Sequence, residues 1–198
     1  MLIALFVIFT LLDLPLLHLT YHESIQHIEF HDWYRLFRIV GYLGTWLMVC
    51  IIYIAHDRNQ HRGLAVIFAA GLSGIVSELL KLTIARERPV QDGIIQPGLY
   101  HFRELFSGFQ GGANLAFPSS HAAVAFGGCL MMAYFMPRAR FFLILLAIGC
   151  GISRMLVGAH FATDVYVAGL IGWWCSRMIC ACAAPHVPGL TPRYRLPV

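Results

Sequence analysis

The sequence predicts an all-α integral membrane protein: a single transmembrane domain over residues 1–198, folded as a bundle of six spanning helices. Two observations predict it. Hydrophobic residues make up 59% of the chain and charged residues only 12%, whereas about a quarter of an average soluble domain is charged. The apolar residues also fall in long blocks, near 1–19, 36–55, 63–85, 119–136, 141–158 and 161–183. Most of these approach the roughly 20 residues needed to cross a bilayer. The net charge of +4 is modest and unclustered, which argues against a nucleic-acid partner.

The first block, "MLIALFVIFTLLDLPLLHL", lacks a basic leader and a small-x-small cleavage site, so it reads as a retained spanning helix. Asp13 lies in it just before Pro15; either it faces the bundle or it marks a boundary, and the sequence does not decide. Residues 20–35 then form an interfacial segment. Within "YHESIQHIEFHDWYRLF", Ile25, Ile28, Trp33 and Leu36 share an apolar face, and Trp33 with Tyr34 suits the headgroup level. His18 and His22, like His27 and His31, are four apart. That spacing can bind a metal, but a solvated polar face is the better reading, and no metal is expected. The later blocks carry small residues (Gly71, Ser73 and Gly74; Gly127 and Gly128; Gly149 and Gly151) that let helices approach closely in lipid. All six cysteines lie within apolar blocks, as small packing residues and not as a disulfide or metal framework.

Short-loop basic residues set the orientation. Arg58 with Arg62, Arg138 with Arg140, and Arg193 with Arg195 share one side, the cytoplasmic one, which puts both termini inside. The opposite side holds the long loop 89–118, expected to act as a lid. Its stretch "LYHFRELFSGFQGG" reads as a short amphipathic helix followed by a hinge at Gln110-Gly111-Gly112.

Three polar clusters lie at predicted helix ends on that same side: "KLTIARERP" from Lys81 to Pro89, "FPSSH" from Phe117 to His121, and "SRMLVGAHFATD" from Ser153 to Asp164. Lys81 and Arg88 are seven apart, two turns along one helix face. Pro89 biases Arg88 away from helical torsions and ends the helix there. Arg86 and Glu87 point elsewhere, as a solvated pair. Ser119 or Ser120 caps the fourth spanning helix, whose free N–H groups favour an anion, and His121 stands in its first turn. Arg154 lies near the end of the fifth helix. His160 and Asp164 are four apart on one face of the sixth. The carboxylate can fix the imidazole tautomer, so that the other nitrogen presents its lone pair outward as a nucleophile or base. Phosphoryl transfer calls for this combination of positive charge and N–H donors around the equatorial oxygens. Two histidines could then act in line, one attacking phosphorus and one protonating the leaving oxygen.

The clusters resemble the signature of the type 2 phosphatidic acid phosphatase (PAP2) superfamily, which reads K-x6-R-P, then P-S-G-H, then S-R-x5-H-x3-D. Lys81, Arg88 and Pro89 match the first motif; Pro118, Ser119 and His121 the second; Ser153, Arg154, His160 and Asp164 the third. The resemblance implies a PAP2-type helical core and a covalent mechanism. His160 would attack phosphorus to form a phosphohistidine, with Asp164 orienting and polarising it. His121 would protonate the leaving group and then activate water. Lys81, Arg88 and Arg154 would hold the phosphate, with Ser119, Ser120 and a main-chain N–H beside it. Ser120 stands where the family usually has glycine. The main-chain contact survives that change, but a special glycine torsion there would strain the serine.

The implied activity is hydrolysis of a lipid phosphate or diphosphate without metal or cofactor. Phosphatidic acid, phosphatidylglycerol phosphate, polyprenyl diphosphate and the 1-phosphate of lipid A all remain open. The expected partners are therefore the lipid phosphate and membrane lipids. A lipid phosphotransferase on the same scaffold is the alternative. A non-catalytic lipid-binding or transport protein is less favoured, because an anion site alone needs no paired histidines. Small size and the lack of an organellar signal point to a bacterial inner membrane, with the site facing the periplasm or exterior.

Overall fold

The computed structural model describes residues 1–21, 28–56, 59–91, 93–96 and 100–186. Seven helices follow one another: α1 (Leu2–Thr20), α2 (Asp32–Ile39), α3 (Leu43–His56), α4 (Gln60–Ile84), α5 (Ser120–Phe135), α6 (Arg140–Leu156) and α7 (Ala162–Ala183). A two-stranded hairpin, β1 (Val90–Gln91) and β2 (Ile94–Ile95), lies between α4 and α5. Four helical segments are long and apolar enough to cross a bilayer, namely α1, α4, α7 and α6 with the turn before it. A fifth results if α2 and α3 are one span, bent by 68°. The remaining expected span, α5, has 16 residues, so among the described residues length and composition identify four or five candidate spans, with α5 too short to count as a further one.

The second predicted block is thus broken, and side chains close the break. Trp46 Nε1 donates to Val40 O at 2.9 Å, and Thr45 Oγ1 donates to Ile39 O at 2.6 Å. These bonds satisfy carbonyls that the end of α2 would otherwise orphan. The interfacial segment falls partly on residues 22–27, outside the described residues, and so do His22 and His27. Among the described residues, no group of three or more His, Cys, Asp or Glu is arranged to hold a metal. Arg58, Arg193 and Arg195, used to orient the chain, are also outside them.

Packing runs opposite to that of a water-soluble core. Large apolar side chains such as Ile3, Leu11, Phe68, Ile75, Phe141 and Phe142 point outward, while Ala69, Ala70, Ser73, Ala122, Ala123, Ala125 and Ala168 are fully buried. This is the arrangement expected where the surrounding medium is itself apolar and helices associate through close approach. One close seam joins α5 and α7. A Cβ added at Gly172 would lie 2.8 Å from the Gly127 backbone nitrogen, and the Ser176 hydroxyl donates to Gly127 O at 2.9 Å.

Two sets of contacts tie the helix ends together. At one end Asn59 Nδ2 donates to His186 O at 3.2 Å, and the His61 and His186 rings stack 5.2 Å apart. At the other, Ser119 N donates to Asp164 O at 3.2 Å, which sets the starts of α5 and α7 side by side.

The described residues of 85–118 cover that second end, and the short amphipathic helix expected before Gln110 does not form among them. Their backbone groups instead pair with the segment after α4. Glu87 N donates to His101 O, Arg103 N to Ala85 O, Arg88 N to Asn114 O and Ala116 N to Arg86 O, all at 2.8 to 3.0 Å. Only a 3-10 turn, Ser107–Phe109, remains helical. Arg103 Nη1 donates to Gly111 O at 2.9 Å, so the expected hinge is tied down.

Replacement of Gly172 by valine should therefore force α5 and α7 apart. A loss of about 1–3 kcal/mol is expected, read as a lowered thermal midpoint in detergent, with a smaller loss for alanine.

Candidate active site

A cavity of about 370 Å³ opens at the covered end of the bundle, where helix ends meet. The break between α2 and α3 supplies Gly41, Tyr42 and Leu43; α4 supplies Gly74, Glu78 and Lys81; α5 supplies Ser120, His121 and Val124; Arg88, Arg154 and His160 complete the wall. Of the sequence-predicted residues, Lys81, Arg88, Ser120, His121, Arg154 and His160 are thus brought together around one space. Ser119 and Asp164 are not in the wall. Both are fully buried behind it.

Lys81 and Arg88 reach the cavity without lying on one helix. α4 stops at Ile84, and Ala85 adopts a left-handed torsion (φ 51°) that turns the chain. Arg88 then returns from the following extended segment. Lys81 Nζ donates to Glu78 Oε1 at 2.9 Å and to Ser120 Oγ at 2.5 Å. Arg154, 7% exposed, donates through Nη1 to the Tyr34 hydroxyl at 2.8 Å. Arg88 Nε has no partner among the described residues. Burial and the neighbouring Arg154 push the Arg88 guanidinium below its usual range.

Ser120 opens α5 in ordinary helical geometry and is not among the residues with left-handed torsions. The glycine usual at this position is therefore not needed for backbone freedom. The first turn of α5 leaves its N–H groups without intrahelical acceptors, and its dipole favours an anion at that end. His121, in this turn, meets the Tyr42 ring edge-on at 5.0 Å, and its Nε2 has no partner among the described residues.

His160 sits between α6 and α7, 4% exposed. Its Nδ1 is 3.5 Å from Asp164 Oδ2, longer than a good hydrogen bond, and has no hydrogen-bond partner among the described residues. Burial, followed by Arg154, Lys81 and Arg88, holds His160 well below the usual histidine range, so it is neutral. The Asp164 carboxylate is the N3 residue of α7. Its Oδ2 accepts from Phe161 N at 2.8 Å, as in one half of a capping box.

The solvated pair expected at Arg86 and Glu87 is not found. Arg86 is 4% exposed and ion-paired with Asp164 Oδ1, and its Nη2 donates to Thr163 Oγ1 at 3.2 Å. Pro89 and the early end of α4 turn the chain so that Arg86 faces the protein. Glu87 pairs instead with Arg103 at 2.7 Å and accepts from Gln91 at 3.3 Å, and these bonds lower its carboxyl below the usual range. Asp13 faces the bundle, 1% exposed. Its Oδ1 accepts from Thr163 N at 2.9 Å, and its Oδ2 from the Tyr100 hydroxyl at 2.7 Å and from Thr163 Oγ1. Tyr34, Tyr42 and Glu78 are further site residues that the motifs do not contain. The one local signal for any of these was the lone carboxylate at position 13 of an apolar helix.

Residues 62–187 match the model of the PAP2 superfamily. The lipid A 1-phosphatase of Rhizobium johnstonii is 35% identical over 116 residues, which are 59% of this chain and 46% of that protein. The lipid A 1-phosphatase of Rhizobium etli is 36% identical over 106 residues, 54% of this chain and 44% of that protein. The chain thus spans slightly under half the length of these curated relatives. The crystal structure of Aquifex aeolicus LpxE shares the fold, with a TM-score of 0.63 over 86% of this chain and 95% of that one, at 21% identity.

A neutral buried His160 links stability to pH. Its pKa is lower in the folded chain than in the unfolded one, where it is near 6.5. The unfolded state therefore takes up the extra proton first, and stability present above about pH 6.5 is lost as pH falls. The thermal midpoint should drop on acidification below that value, and less steeply for His160→Gln.

Proposed function

The chain belongs to the PAP2 superfamily, and we propose on that footing that it is a membrane phosphatase acting on a lipid that bears a phosphate monoester or diphosphate. The observation that carries this reading is the single cavity that holds His121 and His160 together with Lys81, Arg88 and Arg154. A binding site for an anion would need the cations alone. The paired histidines add an attacking group and a proton carrier.

In this reading the phosphate sits among the three cations, and the N–H groups starting α5 contact its oxygens. His160, neutral before substrate binds, attacks phosphorus through Nε2 as the lipid oxygen leaves. Asp164 stabilises the charge that develops on the ring. His121 gives its proton to the leaving oxygen, then takes one from the water that releases phosphate from the phosphohistidine. Lys81, hydrogen-bonded to Ser120, steadies the hydroxyl at the wall. Hydrolysis and transfer to another lipid share every step before the last.

The two Rhizobium relatives make the 1-phosphate of lipid A the first substrate to test. Support for a lipid over a soluble ester comes from the cavity wall, in which Leu43, Gly74 and Val124 are apolar and Tyr42 and Leu43 are exposed. An acyl-chain body could lie along that side while the phosphate enters between helices. We place the whole chain as one transmembrane unit in a bacterial inner membrane. The α2–α3 pair and α5 complete six spans, and the site faces outward beneath the 85–118 cover.

The test is phosphate release from purified lipid phosphates in detergent: lipid A 1-phosphate, phosphatidic acid, phosphatidylglycerol phosphate and a polyprenyl diphosphate. Release should need no added acceptor; a strict requirement for one would favour the transferase. His160→Ala should lower release by at least about a thousandfold, as loss of a covalent nucleophile does, with the thermal midpoint retained. Full residual activity would remove His160 as the nucleophile. Release should also persist in a strong chelator.

A further inference from the structure

We propose that Arg86 and Asp13 are positioning residues for phosphoryl transfer: Arg86 holds the Asp164 carboxylate against His160, and Asp13 holds the helix turn on which Asp164 stands. The inference rests on the reading of His160 as nucleophile.

Neither residue lines the cavity. Both are nearly sealed from solvent, Arg86 at 4% and Asp13 at 1% exposure, so neither reaches the phosphate. What they touch is the first turn of α7. Arg86 binds Asp164 Oδ1, which leaves Oδ2 to face Phe161 N at 2.8 Å and His160 Nδ1 at 3.5 Å. Rotation of the carboxylate away from His160 would break the ion pair. The guanidinium is itself fixed between three aromatic rings, with Tyr100, Phe117 and Phe161 centroids 4.6, 4.7 and 5.1 Å from its central carbon. Its Nη2 serves Asp164 Oδ1 and Thr163 Oγ1 at once.

Asp13 acts from a different helix. It accepts from the backbone and hydroxyl of Thr163, the residue before Asp164, and from Tyr100, whose ring stacks on the Arg86 charge. α1 is thereby fastened to the start of α7. Asp13 lies well before residue 62, where the match to the superfamily model begins, so this support is not part of the motifs.

Charge balance makes the arrangement necessary. Two carboxylates, Asp13 and Asp164, are buried at the start of α7, and Arg86 is the cation among them. On the far side of His160 stand Arg154 from α6, Lys81 from α4, Arg88 from the following segment and His121 from α5. Without Arg86, Asp164 would carry an uncompensated buried charge, and would relieve it by taking a proton or by moving toward these cations. Either response abandons His160 as its ring becomes positive during attack.

The experiment is a double-mutant cycle with lipid A 1-phosphate in detergent micelles as the probe. Arg86→Gln should lower kcat by about a hundredfold, the scale of a small displacement of a catalytic group, with KM unchanged. In an Asp164→Asn background the same substitution should change kcat by less than about threefold, because coupled residues are not additive. Asp13→Asn should lower kcat by about tenfold, again without a change in KM. A full additional loss in the Asp164→Asn background, or a rise in KM, overturns the proposal, because Arg86 would then act on the phosphate or on the fold at large. If Arg86→Gln does not fold, Arg86→Lys takes its place in the cycle; if neither folds, Arg86 is a folding requirement and the proposal falls. His160→Ala separates the two levels. Turnover that survives it defeats the nucleophile reading, whereas a dead His160→Ala with an additive cycle defeats only this inference.

Discussion

A charge withdrawn from water needs a partner, and the start of α7 is where the molecule meets that requirement most stringently. Asp13, Arg86 and Asp164 are all nearly inaccessible there, and each carries an interaction with at least one of the others or with a shared residue. Three separate stretches converge on this point: α1, the segment after α4, and α7. The ion pair of Arg86 with Asp164 fixes where the chain goes after α4. That in turn places Arg88 two residues later, on the cavity side. The bond from Ser119 N to Asp164 O brings the start of α5 to the same spot. His121, Arg88 and His160 therefore occupy one cavity because one buried pair anchors the elements that carry them.

The packing below this point has a different origin. Helices surrounded by lipid gain little by hiding large apolar groups, so close contact of small ones holds them together. Ala69, Ala70 and Ser73 on α4, Gly127 on α5 and Ala168 with Gly172 on α7 provide that contact. The same economy of side-chain volume lets Gly41 sit against His121, where an added Cβ would lie 2.8 Å from the histidine Cβ. The bend between α2 and α3 brings Tyr42 beside His121 for this reason. A straight span through residues 36–55 would have carried these wall residues elsewhere.

Much of the site was legible in the sequence because its residues fall in local patterns. His160 with Asp164, the serines opening α5 and Lys81 with Arg88 are near neighbours in the chain, although not by the helix geometry expected: His160 precedes α7, Ser119 makes no side-chain cap bond and α4 ends before Arg88. The spans were legible for the same reason, since hydropathy is a property of the segment itself. What was not legible depends on contacts between distant stretches. Arg86 looks like any exposed arginine beside a glutamate until α7 is folded against it. Asp13 is ambiguous in an apolar helix until Thr163, 150 residues later, is seen to donate to it. The stretch 99–112 has an amphipathic rhythm, yet His101 and Arg103 pair through their backbones with Glu87 and Ala85, and Phe106 N donates to Thr83 O. The break at residues 40–42 was hidden because an apolar block reads the same whether straight or bent.

The electrostatics of the cavity explain why the two halves of the site must be separated by a histidine. On one side, Lys81, Arg88 and Arg154 face a single carboxylate, Glu78, whose partner is Lys81. That side carries excess positive charge. On the other, Asp13 and Asp164 share Arg86 and carry excess negative charge. His160 lies between them with Nδ1 3.5 Å from Asp164 Oδ2, and burial together with the neighbouring cations holds it neutral. In the proposed attack by His160, an Asp164 held by Arg86 would stand 3.5 Å from Nδ1, near enough to stabilise the positive charge that the ring gains.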